Sequence, residues 1–191
     1  AEMIEPSVIV DIKNIADVRA MSESGGAWTV GAAVPGMQII DDAAFSAAWP
    51  GVCEGVALIG SVQVKARASI GGNLCNGSPA ADSVPAIIAA GAVATIIGPN
   101  GSREEPVENI MTGPGKTSLA DGELIVSFAF PKRDAHSGDC YLRLTPRTEM
   151  DIAVVGVGVN ITLDGAGVCT AARVSVGAVA PRPLLVADAA A

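Results

Sequence analysis

The chain has 191 residues; half of them are apolar, only 3 % are aromatic, and the formal net charge is −8 at pH 7. This length is enough for one large domain or two small ones with a buried core, and the apolar content excludes an intrinsically disordered protein. The acidic excess disfavours binding to nucleic acid or to an anionic membrane surface.

The apolar content also raises the question of a membrane span. The longest uninterrupted apolar stretch, residues 86–97, is about 12 residues long, whereas a spanning helix needs about 20. No secretory pattern opens the chain. We therefore expect no membrane span and a cytoplasmic location.

The hydrophobic pattern predicts a mixture of strands and short helices. Strands are predicted at residues 7–11, 28–34, 66–72, 93–97, 103–107, 123–130 and 141–144, and helices at residues 37–49, 52–59 and 86–90. Asn100-Gly101 is typical of a hairpin turn, and the strand at 66–72 is expected to end in a double-glycine turn. Residues 152–163 and 168–179 flank the turn Asp164-Gly165 and predict a further β-hairpin.

Together these elements predict an α+β protein in which a mostly antiparallel sheet is flanked by helices and followed by part of a smaller α+β domain. Residues 132–139 are charged, polar and rich in turn-forming types, which is typical of a linker. The predicted units are accordingly residues 1–133 and 134–191.

Few residues are candidates for catalysis or metal binding. The cysteines lack the C-x-x-C spacing of zinc and iron–sulfur sites and are expected to be buried free thiols: Cys53, Cys75, Cys140 and Cys169. The single histidine, His136, lies in the predicted linker and is expected to face solvent. We predict no catalytic residue and no metal ligand.

Residues 113–117 (GPGKT) end like a phosphate-binding loop, but the first glycine of that motif is absent. A glycine–proline turn is the better interpretation. The paired carboxylates at residues 41–42 and 104–105 point in different directions in a helix or strand, and they are expected to be solvated.

Residues 68–82 (ASIGGNLCNGSPAAD) concentrate small and hydrogen-bonding side chains in one segment. Two consecutive glycines allow a backbone to approach a ligand closely and to turn its N–H groups toward an anion. Asp82 could accept hydroxyl protons from a sugar or polyol. These are the requirements of a dinucleotide, although a turn before a helix capped by Asp82 explains the composition equally well.

This segment resembles the second flavin-binding loop of the FAD-binding (medium) subunits of molybdenum hydroxylases, the family of xanthine dehydrogenase and aerobic carbon monoxide dehydrogenase. The resemblance rests on a long string, SIGGN followed by SPAADSVPA. The flanking segments IVDIKNIADV, VGAAV and GELIVSFAFP resemble the rest of the flavin domain, and YLRLTPRTEMDIAVVGVGVNITL resembles the start of the family's C-terminal domain.

The resemblance implies an FAD-binding electron-transfer subunit that works with an iron–sulfur subunit, which carries [2Fe–2S] clusters, and a molybdopterin subunit. Electrons would pass from the clusters to FAD and on to NAD, quinone or oxygen. The string GGNLCN, with asparagine at residue 73, resembles the xanthine dehydrogenase branch of the family more than the carbon monoxide dehydrogenase branch. The FAD contacts that the resemblance implies are Ser69, Ile70, Gly71, Gly72, Asn73, Asn76, Ser78, Asp82, Ile125 and, where relatives often have lysine, Arg143.

In the family an earlier glycine-rich loop holds the FAD pyrophosphate, and the resemblance places Ala1 just after that loop and Ala191 inside the C-terminal domain. The 191 residues alone are therefore expected to bind FAD weakly or not at all. Two alternatives stay open: a self-standing FAD-dependent oxidoreductase of the same fold, and an interaction module without a cofactor. The scarcity of histidine and tyrosine disfavours the first alternative.

Overall fold

The computed structural model describes residues 6–148 and 150–190. Strands of its first part are β1 (Met21–Ser24), β2 (Ala27–Gly31), β3 (Val93–Gly98), β4 (Gly101–Pro106), β5 (Met111–Gly113), β6 (Lys116–Thr117) and β7 (Leu124–Phe130). A five-stranded antiparallel sheet has the order β1-β2-β7-β3-β4, while β5 and β6 pair as a separate hairpin. The predicted turns at Asn100-Gly101 and within residues 113–117 are confirmed.

Short helices pack against this sheet. They are α1 (Gly36–Asp41), α2 (Ala43–Ala48), α3 (Pro50–Ala57), α4 (Val62–Lys65), α5 (Ile70–Cys75), α6 (Ser83–Ala89) and α7 (Val107–Ile110). The single helix predicted at residues 37–49 is wrong, because Asp42 takes an extended conformation and caps α2 by accepting the N–H groups of Ala44 and Phe45. Pro50 then starts α3, where its missing N–H costs nothing.

The second part of the chain forms another antiparallel sheet. Its strands are β8 (Ser137–Leu144), β9 (Val155–Leu163), β10 (Cys169–Gly177) and β11 (Leu184–Leu185), in the order β11-β10-β9-β8. The hairpin predicted from the turn Asp164-Gly165 is confirmed by the pairing of β9 with β10. The predicted α+β class is confirmed as well.

An apolar core lies between the first sheet and its helices. The ring of Phe45 meets Trp28 and Phe130 edge to face, with ring centroids 5.3 Å apart in both pairs. Because these few aromatic rings are surrounded mainly by valine, isoleucine and alanine, the core fills its volume with small aliphatic side chains.

The two sheets share helices α3 and α6. The second sheet approaches them through positions that lack a side chain: a Cβ at Gly158 would lie 2.5 Å from the carbonyl oxygen of Pro85, and one at Gly51 would lie 2.7 Å from the backbone of Cys140. Backbone atoms cannot move aside as the end of a side chain can, so this close packing depends on glycine.

The segment between the two sheets is held in place by contacts of Arg133, so it is not a free linker. The Arg133 guanidinium lies 4.6 Å from the centroid of the Trp49 ring, forms an ion pair with Asp139 and donates to the carbonyl of Ala48. The predicted linker, residues 132–139, is therefore shorter than expected, because β8 already begins at Ser137.

Two predicted strands are wrong. Residues 7–11 form no strand, and Val8, Ile9 and Val10 expose 74 to 85 % of their surface, because this segment has no pairing strand among the described residues. Residues 66–72 contain no regular strand; instead α5 begins after Ser69, and both glycines lie in its first turn. No helix in the described ranges is long and apolar enough to cross a membrane.

The junction between the sheets can be tested at Gly158. Gly158→Ala should lower the free energy of unfolding by about 1–3 kcal/mol or more, since the added methyl group overlaps the backbone of Pro85. Gly165→Ala is the matched control, because a Cβ at this turn position meets nothing within 4 Å. Urea denaturation of both variants measures the difference, and equal stabilities would contradict the described packing.

Candidate functional site

Ser69 determines where helix α5 begins. Its side-chain oxygen accepts the N–H of Gly72 at 3.1 Å, which is the hydrogen bond of a helix N-cap. A backbone hydrogen bond from Gly36 to Ala68, at 2.8 Å, holds the preceding residue against the start of α1. The loop is thus fixed at its entry by the rest of the domain.

The two glycines of α5 have different surroundings. A Cβ at Gly71 would lie 2.5 Å from the carbonyl oxygen of Ala32, so close packing against this backbone requires glycine there. A Cβ at Gly72 would meet only the Ser69 side-chain oxygen, at 3.4 Å. Gly72 is exposed, and its free side faces a cavity.

The backbone N–H groups of this pair already have acceptors within the chain. Gly71 donates to the carbonyl of Ala32 at 3.2 Å, and Gly72 donates to Ser69. The loop therefore contributes mainly an open backbone surface to the cavity, at the position where a side chain would otherwise stand. It offers fewer free N–H donors than its sequence suggests.

The cavity beside Gly72 has a volume of about 330 Å³. Four of the predicted site residues line it: Ser69, Gly71, Gly72 and Ile125. Sequence reasoning missed the other lining residues, which are Ile12, Lys13, Ala32, Ala33, Arg67, Ala68, Cys75 and Leu124. The only sequence signal for these two cations is that Lys13 lies in IVDIKNIADV, which carries the family resemblance, and that Arg67 lies two residues before SIGGN.

The charge of this cavity differs from that of the chain. Its lining includes two cationic residues, Lys13 and Arg67, and no aspartate or glutamate, although acidic residues outnumber basic ones by 20 to 12 in the sequence. The remaining lining is mostly apolar or small. A ligand with an apolar ring and an anionic group matches this combination.

The other predicted residues lie outside this cavity. The Ile70 side chain is buried in the apolar core, with 1 % of its surface exposed. Asn73 accepts the Ser83 hydroxyl at 2.7 Å, linking α5 to α6, and the Ser78 hydroxyl accepts the N–H of Ala80 at 3.3 Å. Asn76 is exposed at the end of α5.

Asp82 and Arg143 meet each other at the junction of the two sheets. The carboxylate of Asp82 accepts a hydrogen bond from the Tyr141 hydroxyl at 3.0 Å and forms an ion pair with Arg143 at 2.7 Å. Both members of the ion pair are largely buried, with 11 and 8 % of their side chains exposed. The capping alternative is wrong, because the Asp82 side chain forms no capping hydrogen bond to α6.

Burial dominates the electrostatics of this cluster. Desolvation raises the pKa of Asp82 above its ordinary value, although the Arg143 charge and the hydrogen bonds from Arg143 and Tyr141 act in the opposite direction. Burial and the neighbouring Asp82 carboxylate raise the pKa of Tyr141, so its hydroxyl stays protonated and donates.

A second cavity, of about 460 Å³, borders this cluster through Arg143 and is also lined by Lys65 and Ser61. The segment around residues 65–67 therefore contributes to both cavities: Lys65 to the second and Arg67 to the first. Of the predicted site residues, four line the first cavity and Arg143 lines the second, whereas the others line neither of these two cavities.

The cysteines and the histidine do not form a further candidate site among the described residues. The expectation of four buried thiols is wrong, because only Cys53 is buried. Cys75 at the end of α5, Cys140 in β8 and Cys169 at the start of β10 are exposed. His136 is exposed at the connection before β8. The described ranges, residues 6–148 and 150–190, contain no cluster of three or more potential metal ligands.

Residues 1–133 match the family described as the FAD binding domain in molybdopterin dehydrogenase, and residues 141–191 match the CO dehydrogenase flavoprotein C-terminal domain. The chain is 34 % identical to the xanthine dehydrogenase FAD-binding subunit of Escherichia coli O157:H7, over 92 % of this chain and 61 % of that protein. It is 30 % identical to the carbon monoxide dehydrogenase medium chain of Hydrogenophaga pseudoflava, over 94 and 62 % of the two chains.

The fold is similar to a chain in the crystal structure of the Cu,Mo-CO dehydrogenase, with a TM-score of 0.93, 28 % identity, and coverage of 99 % of this chain and 65 % of that one. The chain therefore belongs to the family of FAD-binding domains in molybdopterin dehydrogenases, as its sequence predicts. It spans about three fifths of the length of the curated relatives named above.

The Asp82 cluster gives a prediction on pH-dependent stability. Arg143→Met should lower the free energy of unfolding by about 3–5 kcal/mol near neutral pH, because it leaves a buried carboxylate without its cation. Loss of the Arg143 charge should raise the pKa of Asp82 further. Since a carboxyl group with a raised folded-state pKa is stabilising below its unfolded pKa and loses that contribution as pH rises, the deficit should shrink toward acidic pH.

Urea titrations from about pH 5 to about pH 8 measure this deficit. Tyr141→Phe is the control: it removes one hydrogen bond to the carboxylate and keeps the ion pair, so it should cost about 1.5–3 kcal/mol, less than Arg143→Met. A loss in Arg143→Met that stays constant with pH would contradict the assignment.

Proposed function

We propose that this chain binds FAD in the cavity beside Gly72 and forms the flavin-carrying part of an electron-transfer subunit in a molybdenum-containing dehydrogenase. The observation that supports it most is the composition of this cavity. It combines apolar surface at the exposed Leu124, an open backbone at Gly72 and a cationic edge in an acidic protein. FAD has the matching chemistry, with two heteroaromatic rings joined through a pyrophosphate.

The cavity residues fit separate requirements of this cofactor. Leu124, which is 36 % exposed, provides apolar surface for a heteroaromatic ring or its ribose, while Ile125 borders the cavity with its side chain buried in the core. Gly72 allows the ligand to lie directly on the helix backbone. Ser69 keeps that backbone in place by capping α5. When bound, FAD supplies the redox chemistry, and the chain supplies its position and surroundings.

The remaining predicted contacts lie further along the loop. We propose that Asn73, Asn76, Ser78 and Asp82 follow the cofactor toward the second cavity, where Arg143 lies. Arg143 donates to Asp82 and to the carbonyl of Leu58 at 3.4 Å, so its guanidinium is held in one place beside that cavity. In this arrangement residues 1–133 form the cofactor unit, and residues 134–191 begin a unit that closes over one end of it.

The subunit would receive electrons from the [2Fe–2S] clusters of an iron–sulfur subunit and pass them to NAD, quinone or oxygen, while a molybdopterin subunit oxidises the substrate. The cysteines at residues 53, 75, 140 and 169 are free thiols, which fits a reducing compartment, and we propose the cytoplasm. The chain's own chemistry agrees with a carrier role, since the buried Tyr141 hydroxyl is hydrogen-bonded to Asp82 and His136 lines neither of the two cavities. A self-standing oxidoreductase needs such groups beside its substrate.

The double glycine provides the test of FAD binding. Gly72→Val should keep the fold, because its Cβ meets only Ser69, yet weaken FAD binding by at least about a hundredfold by filling the cavity. Gly71→Ala is the matched contrast: it should lower the melting temperature, because its methyl group overlaps Ala32. Flavin fluorescence titration up to millimolar FAD, with thermal melting in parallel, separates the two effects. A folded Gly72→Val protein with unchanged FAD affinity would overturn the site.

The proposed partners can be tested through the second sheet. The face of this sheet that points away from α3 and α6 carries Leu142 and Leu144, 73 and 61 % exposed, next to Val157 and Val155. Apolar area of this kind favours burial against another protein surface. Co-expression with the iron–sulfur and molybdopterin subunits should yield a heteromeric complex by native mass spectrometry. A monodisperse lone subunit that oxidises substrate unaided would contradict the proposal.

A further inference from the structure

Two cations from distant parts of the sequence meet at the edge of the cavity beside Gly72. Lys13 lies in the segment before β1, and Arg67 lies between α4 and α5; both line the cavity. The Lys13 ammonium donates to the main-chain carbonyl of Arg67 at 2.6 Å, which ties the two segments together.

Neither cation has an acidic partner in the part of the chain that the structure describes. No carboxylate of residues 6–148 and 150–190 lies within 4.0 Å of the Lys13 ammonium or the Arg67 guanidinium, whereas Arg103, Arg133 and Arg173 each form an ion pair. In a chain with eight excess negative charges, two neighbouring cations without an acid are available to bind an external anion.

Arg19 adds a third positive charge behind this pair. Its guanidinium donates to the carbonyl of Lys13 at 3.4 Å, and its Nε is buried without a hydrogen-bond acceptor among the described residues. Arg19 does not line the cavity itself, but it holds the backbone of Lys13 from behind. The carboxylate nearest to Lys13 in sequence, Asp11, is engaged with the main-chain N–H of Lys13 at 2.9 Å.

We infer that Lys13 and Arg67 form an anion subsite that binds a phosphate group of the ligand in this cavity. This inference rests on the proposed function for the ligand's identity: for FAD, the bound group is one of its phosphates. The glycine N–H groups of α5 already donate within the chain, so the side chains of Lys13 and Arg67 are the stronger donors at this site. Charge-assisted hydrogen bonds to phosphate are the interaction that a lysine and an arginine provide best.

The test compares two double variants that remove the same charge. Lys13→Gln with Arg67→Gln removes the subsite, while Lys116→Gln with Lys132→Gln removes two cations that do not line this cavity. FAD and ADP are titrated into each protein by isothermal calorimetry at several salt concentrations. The subsite variant should bind FAD at least about a hundredfold more weakly than the control variant, and its FAD affinity should lose most of its dependence on salt concentration. Thermal melting in parallel shows that both variants are folded at the titration temperature, although loss of the Lys13 hydrogen bond to Arg67 lowers the melting temperature of the subsite variant.

The outcomes separate this inference from the proposed function. FAD affinity that is equal in the two variants, when the wild-type chain binds FAD, would overturn the subsite and leave the proposed function standing. ADP binding that depends on Lys13 and Arg67 without any FAD binding would support the subsite and overturn FAD as the ligand. Binding of neither compound up to millimolar concentration would overturn both.

Discussion

The contact between helix α5 and the backbone of Ala32 determines the shape of the candidate cofactor site. Because no side chain fits at Gly71, the helix lies directly on the chain that leaves β2. Its other side, at Gly72, then faces the cavity, while Ile70 is buried in the core. One short helix thus both completes the core and forms a wall of the candidate site: Gly71 packs against the backbone of Ala32, and Gly72 lines the cavity.

The far end of the same segment joins the two sheets. Asp82 receives hydrogen bonds from two residues of β8, and both sheets share α3 and α6 through close glycine contacts. A buried carboxylate with a raised pKa is retained here because Arg143 and Tyr141 satisfy it. Residues 69–82 therefore connect the cavity to the second sheet.

Much of the fold and part of the site could be predicted from the sequence. Strands with regular alternation and turn signals were confirmed, as were the hairpins at Asn100-Gly101 and Asp164-Gly165. The errors have local causes: a side chain at Ser69 capped a helix where a strand was expected, and an extended Asp42 divided another helix. Lys13 and Arg67 were missed because their meeting depends on tertiary packing across 54 residues, which no local pattern encodes.

The central claim is that the cavity beside Gly72 is where this chain binds FAD. Chemical-shift changes of the backbone amides on titration with FAD, measured by two-dimensional NMR on the isotope-labelled chain, test it most directly. The account predicts that the largest changes cluster at Ser69, Gly72, Ile125 and Lys13, which line one cavity but lie far apart in sequence. Saturable changes confined to other surfaces, such as the cleft around Arg133 and Arg173, would contradict it.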